Sequence, residues 1–322
     1  MNRFVLLLIS SAFVLNHADF AQSPPQPSDT TAHSMKFVTV QPGVKVEVLD
    51  YGGTGRAMVF LAALGPIAHD WDKFAPKFVG QYHVYAITRR GFGASDVPPP
   101  TDENYSADRL GDDVLSVMDQ LKLDRPILVG WSVGGEELSS VGSRFPAKVR
   151  ALIYLDAGYP YAFYNQAEGE PYQDRAELRR LLKEAEGGPD LSLELKRKLL
   201  ASMRQNEEEL RSSIESDEKS PPPPPPPPPP GMPPMPPQFN AIMMNPVKYT
   251  KIPVPVLAIF ATQRDPDPSE EEWRERQIRA FEAGVPTAHV VRLAHAGHEV
   301  FVTNEAEVIR EMTTFLNALP RS

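Results

Sequence analysis

The sequence predicts an α/β fold in which a mostly parallel, eight-stranded sheet carries helices on both faces. From residue 35 onward, short apolar segments alternate with longer amphipathic segments, which is the pattern of strands alternating with helices. Apolar residues make up 41% of the 322-residue chain, which is enough for a substantial core. The length fits one large core with an insertion as well as it fits two average domains.

Eight apolar segments have the length and composition of strands. They cover residues 36–40, 45–50, 58–61, 83–88, 127–130, 151–156, 256–261 and 289–293. A short helix is predicted over residues 70–78 and a longer one over 107–121, where apolar side chains recur at helical spacing. The last two helices are predicted to start at Ser269 and Asn304, because a glutamate follows each of them three residues later, as in a capping box.

The alternation stops over residues 159–250, where we expect a helical, proline-rich cap inserted after the sixth strand. Highly charged segments over 177–186 and 191–214 predict two helices in this cap. The proline-rich segment 221–237 begins with the unbroken decaproline 221–230, which favours extended polyproline II at about 3.1 Å per residue, or roughly 31 Å in all. Such tracts are most often spacers, so an exposed strap is predicted rather than a site for a polyproline-binding partner.

The N-terminal residues predict export. A short positive start precedes the apolar residues 4–15, a run too short to span a bilayer comfortably. We interpret residues 1–21 as a secretory signal peptide, cleaved to give a periplasmic or secreted protein without a membrane segment. An uncleaved membrane anchor is the alternative. Residues 22–34, rich in Pro, Ser and Thr, predict a disordered lead, and the core is expected over 35–158 and 251–322.

Composition narrows the function classes. The net charge of −9 and the isoelectric point near 5.4 argue against nucleic-acid binding, since no basic surface is available to neutralise phosphates. The chain has no cysteine, which excludes disulfides, thiolate metal sites and cysteine nucleophiles. The sequence shows neither a metal-ligand cluster nor a glycine-rich phosphate loop, so we expect no metal or organic cofactor, and a small molecule as the substrate.

The segment Gly130-Trp131-Ser132-Val133-Gly134 has the form Gly-x-Ser-x-Gly and lies between an apolar strand and a helix-compatible segment. This is the context of a nucleophile elbow, in which a serine occupies a strained strand-to-helix turn between small residues. Ser132 is therefore the candidate nucleophile. The amide of Val133, at the start of the helix, is a candidate donor to a developing oxyanion.

A serine hydroxyl needs a base within hydrogen-bond reach and an acid that orients the base. His298 follows the last predicted strand, where a loop could hold an imidazole over the serine, and Asp265 follows the seventh strand. We predict His298 as the base and Asp265 as the acid, with Asp267 as a further alternative for the acid. His295 could compete as the base, but a structural role or a place at the pocket edge is expected for it.

Four sequence blocks resemble those of the esterase-like group of the α/β-hydrolase fold family. They are the elbow at 130–134, Arg90-Gly91-Phe92-Gly93-Ala94-Ser95, Gln263-Arg264-Asp265-Pro266 and Gly297-His298. The order of serine, aspartate and histidine along the chain is also that of the family. The resemblance covers residues 36–319 and implies a triad of Ser132, Asp265 and His298 with a cap after the sixth strand. These blocks are specific for the fold and not for the substrate.

Two positions are interpreted through this resemblance. Where the family usually has His-Gly before its first oxyanion donor, this chain reads Leu61-Ala62-Ala63-Leu64-Gly65-Pro66. By position, the resemblance implies that the amide of Leu64 pairs with that of Val133, since a backbone N–H can donate whatever the side chain is. Asp156 ends the sixth strand, where some lipase-like members place their acid, and it is the alternative to Asp265.

Trp131, His69 and Tyr159 are the candidate substrate contacts. His69 lies beside the predicted oxyanion loop, and Tyr159 begins an aromatic segment that could line an acyl pocket. A hinge packed under the cap would explain that segment equally well, and core packing would explain Trp131.

The expected activity is hydrolysis of an ester or related acyl bond of a small, partly apolar substrate through an acyl-enzyme. Peptidase, carbon–carbon hydrolase and cofactor-free peroxidase activities are compatible with the same triad. A serine at the elbow disfavours dehalogenase and epoxide hydrolase chemistry, for which this fold normally uses an aspartate. A non-catalytic binding protein of the same fold is the alternative from a different class.

Overall fold

The computed structural model describes residues 33–166, 169–187, 191–219, 235–244, 247–262 and 268–320. These residues belong to two compact units. The core unit comprises Thr31–Gly169 and Pro237–Ser322, and the inserted unit includes Glu170–Pro236. The predicted signal peptide, the decaproline and the loop that contains Asp265 lie outside the described residues.

Eight strands form one sheet in the core unit, as the sequence predicts. They are β1 (Ser34–Gln41), β2 (Val44–Gly52), β3 (Ala57–Leu61), β4 (His83–Ile87), β5 (Ile127–Trp131), β6 (Ala151–Leu155), β7 (Val256–Thr262) and β8 (Ala288–Ala294). Their order across the sheet is β1-β2-β4-β3-β5-β6-β7-β8. The pairs β1–β2 and β2–β4 are antiparallel, and every other neighbouring pair is parallel. The carboxyl ends of β3 to β8 therefore lie at one edge of the sheet.

The helices of the core unit follow the predicted alternation. They are α1 (Asp102–Tyr105), α2 (Ala107–Gln120), α3 (Gly134–Arg144), α6 (Pro237–Met243), α7 (Pro268–Gly284), α8 (Val300–Thr303) and α9 (Glu305–Ala318), while α4 (Pro171–Glu186) and α5 (Leu193–Lys219) form the inserted unit. The inserted unit begins and ends inside the predicted cap range 159–250. Residues on both sides of it belong to the core unit, where the amide of Tyr164 donates to the carbonyl of Tyr249 at 2.8 Å.

The single helix predicted over residues 70–78 is wrong. The segment forms two separate 3₁₀ turns, Ala68–Trp71 and Ala75–Phe78. Pro76 explains the break, because proline lacks the amide that a helix continuing through this position needs, whereas it is tolerated in the first turn of a new one.

The predicted start of the last helix at Asn304 is confirmed, but the predicted capping hydrogen bond is not formed. Asn304 is the residue before α9, yet its side chain makes no capping hydrogen bond to the backbone. Its Nδ2 instead donates to the Glu307 carboxylate at 2.6 Å. An asparagine amide can donate as well as accept, and here the carboxylate takes the donor.

Both faces of the sheet are covered. On one face, alternate residues of β5, β6 and β7 pack into an apolar cluster with Trp71, Phe74, Phe301 and Met312. On the other face, the hydroxyl of Tyr154 on β6 hydrogen-bonds Ser139 of α3 at 3.0 Å, and its ring packs on Phe281 of α7. Strands buried on both faces explain why the central segments are continuously apolar in the sequence.

Candidate active site

Ser132 lies at the turn between β5 and α3, at the carboxyl end of a central strand. Its φ angle is +52°, in the left-handed region that side chains rarely adopt. A Cβ on Gly130 would stand 2.8 Å from the carbonyl oxygen of Gly134, and one on Gly134 would stand 2.9 Å from that of Leu61. Both glycines are therefore required by close approach of the backbone, which is the packing expected of a nucleophile elbow.

Asp156 occupies the matching position on the neighbouring strand. Trp131 of β5 pairs with Leu155 of β6, so Ser132 and Asp156 are the next residues after a paired position. The amide of Ser132 donates to the carbonyl of Leu155 at 3.3 Å, and Asp156 also has a positive φ of +46°. Strained residues at two adjacent strand ends are typical of a functional site.

His298 contacts Asp156 directly. Its Nδ1 lies 2.6 Å from Oδ2 of Asp156, whose carboxylate is buried. The other oxygen, Oδ1, accepts hydrogen bonds from the hydroxyl of Tyr159 at 2.7 Å and from the amide of Ala261 at 3.0 Å. The carboxylate is thus fixed on both sides. In the tautomer whose Nδ1–H donates to the Asp156 carboxylate, Nε2 is the basic nitrogen of the imidazole.

Trp131 ties the loop that carries His298 to the end of β5. Its indole Nε1 donates to the backbone carbonyl of His298 at 3.0 Å, and the two rings lie 5.6 Å apart. Because Trp131 directly precedes Ser132, this bond ties the histidine loop to the residue next to the candidate nucleophile. The side chain of His298 remains 24% exposed, so it is accessible to a substrate.

The predicted acid Asp265 lies outside the described residues, and among the residues that the structure does describe, Asp156 is the carboxylate against His298. His295, the competing base, is exposed and is the first residue after β8, with a φ of +58°. The sequence offered one sign that Asp156 could contact His298, because Asp156 ends the predicted strand that follows the strand of Ser132.

The two predicted oxyanion donors follow paired positions of adjacent strands. Leu61 of β3 pairs with Gly130 of β5, and Leu64 and Val133 each lie three residues further on. Val133 is the residue at the N-terminal end of α3. The close approach of Gly134 to the carbonyls of Leu61 and Ala62 brings the loop after β3 against the start of this helix.

The electrostatic environment of the serine is acidic and largely buried. The side chain of Tyr161 hydrogen-bonds that of Ser132, and burial, together with the charges of Asp156 and Glu136, holds the pKa of Tyr161 well above its usual value. Glu136, in the first turn of α3, is 1% exposed, and burial raises its pKa to about 8. Tyr161 therefore stays a neutral donor at ordinary pH.

The three candidate substrate contacts have other partners in the structure. Trp131 is buried and packs on Trp71 and Phe301. Tyr159 is also buried, bonded to Asp156 and stacked on Trp273 at 5.9 Å. The Nδ1 of His69 lies 3.1 Å from the Asp72 carboxylate. Trp131 and Tyr159 thus bond the His298 backbone and the Asp156 carboxylate, respectively, and their contact with a substrate stays a prediction.

Arg274, which the sequence did not indicate, hydrogen-bonds the hydroxyl of Tyr159. Its Nη1 donates to the Tyr159 hydroxyl at 3.2 Å, although the residue is only 4% exposed. Arg274 lies in α7, whose sequence is dominated by charged residues and suggests a solvated helix. No local signal distinguishes this arginine from its exposed neighbours.

Within the described part of the chain, the side chains of His33, His69 and Asp72 could hold a metal ion, with one ligand atom of each within 4.8 Å of the others. The carboxylate of Asp72 already accepts a hydrogen bond from the Tyr51 hydroxyl at 2.6 Å and contacts His69. These hydrogen bonds account for the arrangement without an ion.

No helix among the described residues is both long and apolar enough to cross a membrane.

Comparison with known proteins gives one family. Residues 58–311 match the model described as the alpha/beta hydrolase family. Bifunctional epoxide hydrolase 2 of Sus scrofa is 26% identical over 137 residues, which are 42% of this chain and 24% of that protein. A putative 2-succinyl-6-hydroxy-2,4-cyclohexadiene-1-carboxylate synthase of Bacillus subtilis is 31% identical over 117 residues, 36% of this chain and 42% of that protein.

A 2-hydroxy-6-oxononadienedioate/2-hydroxy-6-oxononatrienedioate hydrolase of Cupriavidus pinatubonensis is 27% identical over 136 residues, 40% of this chain and 46% of that protein. The chain therefore spans between about a quarter and just under half of the length of these relatives.

Solved structures agree on the fold. An epoxide hydrolase from Bacillus megaterium superposes with a TM-score of 0.58 at 20% identity, covering 88% of this chain and all of that one. A carboxylesterase from Bacillus subtilis superposes with a TM-score of 0.55 at 16% identity, covering 88% of this chain and 92% of that one. At such identities the likeness concerns the fold alone.

Proposed function

The chain belongs to the alpha/beta hydrolase family, and from that premise we propose that it is a serine hydrolase cleaving an ester or related acyl bond of a small, partly apolar substrate. The observation that carries the proposal is the junction of three strand ends. Ser132 occupies the strained turn after β5, Trp131 directly before it donates to the backbone carbonyl of His298, and the His298 side chain is bonded to Asp156 at 2.6 Å. These contacts support a nucleophile, a base and an orienting acid at one edge of the sheet.

In the proposed mechanism, Nε2 of His298 takes the hydroxyl proton of Ser132 as Oγ attacks the substrate carbonyl carbon. The carbonyl oxygen becomes an oxyanion that accepts hydrogen bonds from the amides of Val133 and Leu64. Asp156 stabilises the imidazolium through Nδ1. The imidazolium then gives its proton to the departing alcohol, and the acyl group remains on Ser132. A water molecule, deprotonated by His298, reverses these steps and releases the acid.

The acid role is assigned to Asp156 within this proposal. Its carboxylate is 1% exposed, accepts two further hydrogen bonds on Oδ1 and directs Oδ2 at the histidine. A buried carboxylate with both oxygens hydrogen-bonded keeps its orientation, which is needed to hold the histidine tautomer.

Several relatives carry names of epoxide hydrolases, but a serine nucleophile favours acyl transfer. If Oγ of Ser132 opened an epoxide, the product would be an ether on the enzyme, which a histidine-activated water cannot hydrolyse. An acyl ester on the same oxygen can be hydrolysed. The chemistry of the nucleophile therefore supports an acyl substrate.

Carbon–carbon bond hydrolysis is the second candidate, because one relative is named as a hydrolase of 2-hydroxy-6-oxo dienedioates. The same serine and histidine would serve, with a carbanion in place of an alkoxide as the leaving group. Hydrolysis rates on a panel of p-nitrophenyl esters and on a vinylogous 1,5-diketone would distinguish ester hydrolysis from carbon–carbon bond hydrolysis.

The test of the proposed function is labelling of the purified protein with a fluorophosphonate, with the modified residue located by mass spectrometry. We expect labelling at Ser132, and its loss in His298→Ala. Ser139→Ala is the matched control, because Ser139 is a buried serine of α3 that bonds Tyr154 instead of the triad. Absence of label in the folded wild-type protein would contradict the proposal and leave a non-catalytic binding protein as the better explanation.

Export remains part of the proposal. It is supported by the positive start and the apolar residues 4–15 of the sequence. N-terminal sequencing of the protein recovered outside the cytoplasm checks it. A start near residue 22 is expected, and an intact N-terminus in a membrane fraction would favour the anchor instead.

A further inference from the structure

Arg89 has an unusually complete set of buried hydrogen bonds. The residue lies two positions after β4, and its side chain is 3% exposed. The guanidinium donates to the carbonyl of Ala63 at 2.8 Å and to that of Ala62 at 2.9 Å. It also donates to both carboxylate oxygens of Glu137, at 2.8 and 2.9 Å. A buried arginine with four such bonds has a fixed orientation.

The two carbonyls belong to the segment that directly precedes Leu64. The C=O of Ala63 and the N–H of Leu64 are parts of one peptide group, which is planar and trans. In a trans peptide these two bonds point in opposite directions. Because Arg89 holds the Ala63 oxygen on its own side, the Leu64 amide must point to the opposite side of the loop.

The other end of the contact lies on the helix that follows the serine. Glu137 is in the first turn of α3, four residues after Val133, and is 4% exposed. The guanidinium of Arg89 therefore connects the loop that carries one candidate oxyanion donor with the helix that carries the other. We call this group, Arg89 with Glu137 and the carbonyls of Ala62 and Ala63, the Arg89 clamp.

We propose that the Arg89 clamp positions the Leu64 and Val133 amides as an oxyanion hole, in place of the His-Gly pair that this loop lacks. The inference rests on the proposed acyl hydrolase activity and deepens it. The side chains of Arg89 and Glu137 are buried and bonded to each other, so they act through the amides that they orient and are positioning residues. Their effect appears when the carbonyl oxygen gains charge and not when the neutral substrate binds.

The chain supplies a matched control in the adjacent arginine. Arg90 is fully buried and bonds Asp113 through Nε at 2.6 Å, and its Nη1 donates to Gln41. It is thus a second buried arginine–carboxylate pair of the same unit. Asp113 and Gln41 both lie outside the loop over residues 61–65.

The experiment compares the wild type with two double variants, Arg89→Met/Glu137→Met and Arg90→Met/Asp113→Leu. Removing both charges of a pair avoids an unpaired buried ion, so both variants should fold. For each protein we would measure kcat and KM for one p-nitrophenyl ester, and the inhibition constant of a phenylboronic acid, which forms a tetrahedral adduct with an active serine.

Loss of the Arg89 clamp should lower kcat by on the order of 100-fold, comparable with removal of one oxyanion donor. The boronic acid should bind more weakly by a similar factor, while KM changes little. The Arg90 variant should keep kcat and the inhibition constant near the wild-type values below its melting temperature. Arg89→Lys should lose less, since an ammonium keeps the charge but cannot reproduce the planar fork.

Wild-type kcat and boronic acid affinity in a folded Arg89→Met/Glu137→Met protein would overturn the inference. Equal losses in the two double variants would also overturn it, because the effect would then be one of general stability. If the double variant does not fold, Arg89→Lys takes its place in the test. An unchanged kcat and inhibition constant in that protein would then overturn the inference. Failure of the wild type itself to label at Ser132 would instead refute the proposed function, and the clamp inference with it.

Discussion

The core unit and the inserted unit use charged residues in opposite ways. In the core unit, buried pairs join distant parts of the chain, as Arg89 does with Glu137 and Asp156 with His298. In the inserted unit, the ion pairs of Arg180 with Glu177 and of Arg211 with Glu207 join residues three or four positions apart on exposed helix surfaces. Buried pairs persist only where desolvation is offset by complete hydrogen bonding, so they define geometry. Exposed helical pairs add a few tenths of a kcal/mol to a helix.

The largest effect is expected at the buried carboxylate of the candidate triad. Asp156→Asn should lower kcat on the order of 10⁴-fold, because an amide keeps the shape of the site but cannot stabilise the imidazolium. Steady-state kinetics on an ester that labels the serine checks this, with Asp265→Asn as the matched control. A severe loss in Asp265→Asn together with a mild one in Asp156→Asn would move the acid role to the loop after β7.

Breaking a buried pair away from the site should cost stability rather than rate. Asp113→Ala leaves the fully buried Arg90 without its carboxylate, and about 3–5 kcal/mol of unfolding free energy should be lost. Urea denaturation at pH 8 measures this, where Asp113 is ionised even though burial raises its pKa to about 6. A loss below about 1 kcal/mol would mean that burial does not distinguish the two units.

Glu136 should make the stability of the protein depend on pH. Burial raises its pKa to about 8, so the folded protein keeps a proton that the unfolded chain releases above about pH 4.5. The neutral carboxyl group therefore makes its full contribution to the free energy of unfolding below pH 4.5, and this contribution is lost as the pH rises towards 8. A pKa difference of one corresponds to about 1.4 kcal/mol.

Glu136→Gln removes this titration while keeping the shape of the side chain. Relative to the wild type, the variant should be more stable by roughly 4 kcal/mol at pH 8, and the difference should shrink towards pH 5. Urea denaturation of both proteins at the two pH values gives the comparison. A difference that is the same at pH 5 and pH 8 would show that Glu136 is ionised in the folded protein.

The smallest effect is expected in the inserted unit. Glu207→Gln removes the exposed pair with Arg211 and should reduce the unfolding free energy by about 0.3–0.5 kcal/mol at low salt. The difference should vanish in 1 M NaCl, because exposed charges are screened there. A loss of several kcal/mol would mean that this pair is part of a buried network and that the contrast between the two units is incorrect.

Much of the fold could be predicted because its signals are local. The eight strands were recognisable as short apolar segments, and the structure confirms each within two residues. The break at Pro76 was equally local, yet the apolar residues around it suggested one helix. The Asn304 side chain shows a different limit, since its choice of Glu307 over the backbone depends on a partner competing in three dimensions.

The roles of the aromatic residues could not be predicted, because burial and partners arise only when distant segments meet. That Trp131 and Tyr159 contact the substrate stays a prediction, and what the sequence did not indicate is that their polar atoms bond the His298 backbone and Asp156. Arg274 belongs to a charged helix that looks solvated in the sequence, and Arg89 follows a strand end, yet both are buried. Their partners lie 26 to 115 residues away along the chain.

The sequence by itself determined the strand pattern, the family blocks and the place of Ser132 on a strand-to-helix turn, because each depends on neighbouring residues and their backbone preferences. Only the tertiary structure brought the carboxylate of Asp156 against His298, 142 residues away. The reason is the order of the sheet. Parallel strands that are adjacent in space collect their carboxyl ends at one edge, and which side chains meet there depends on strand neighbours that the sequence does not specify.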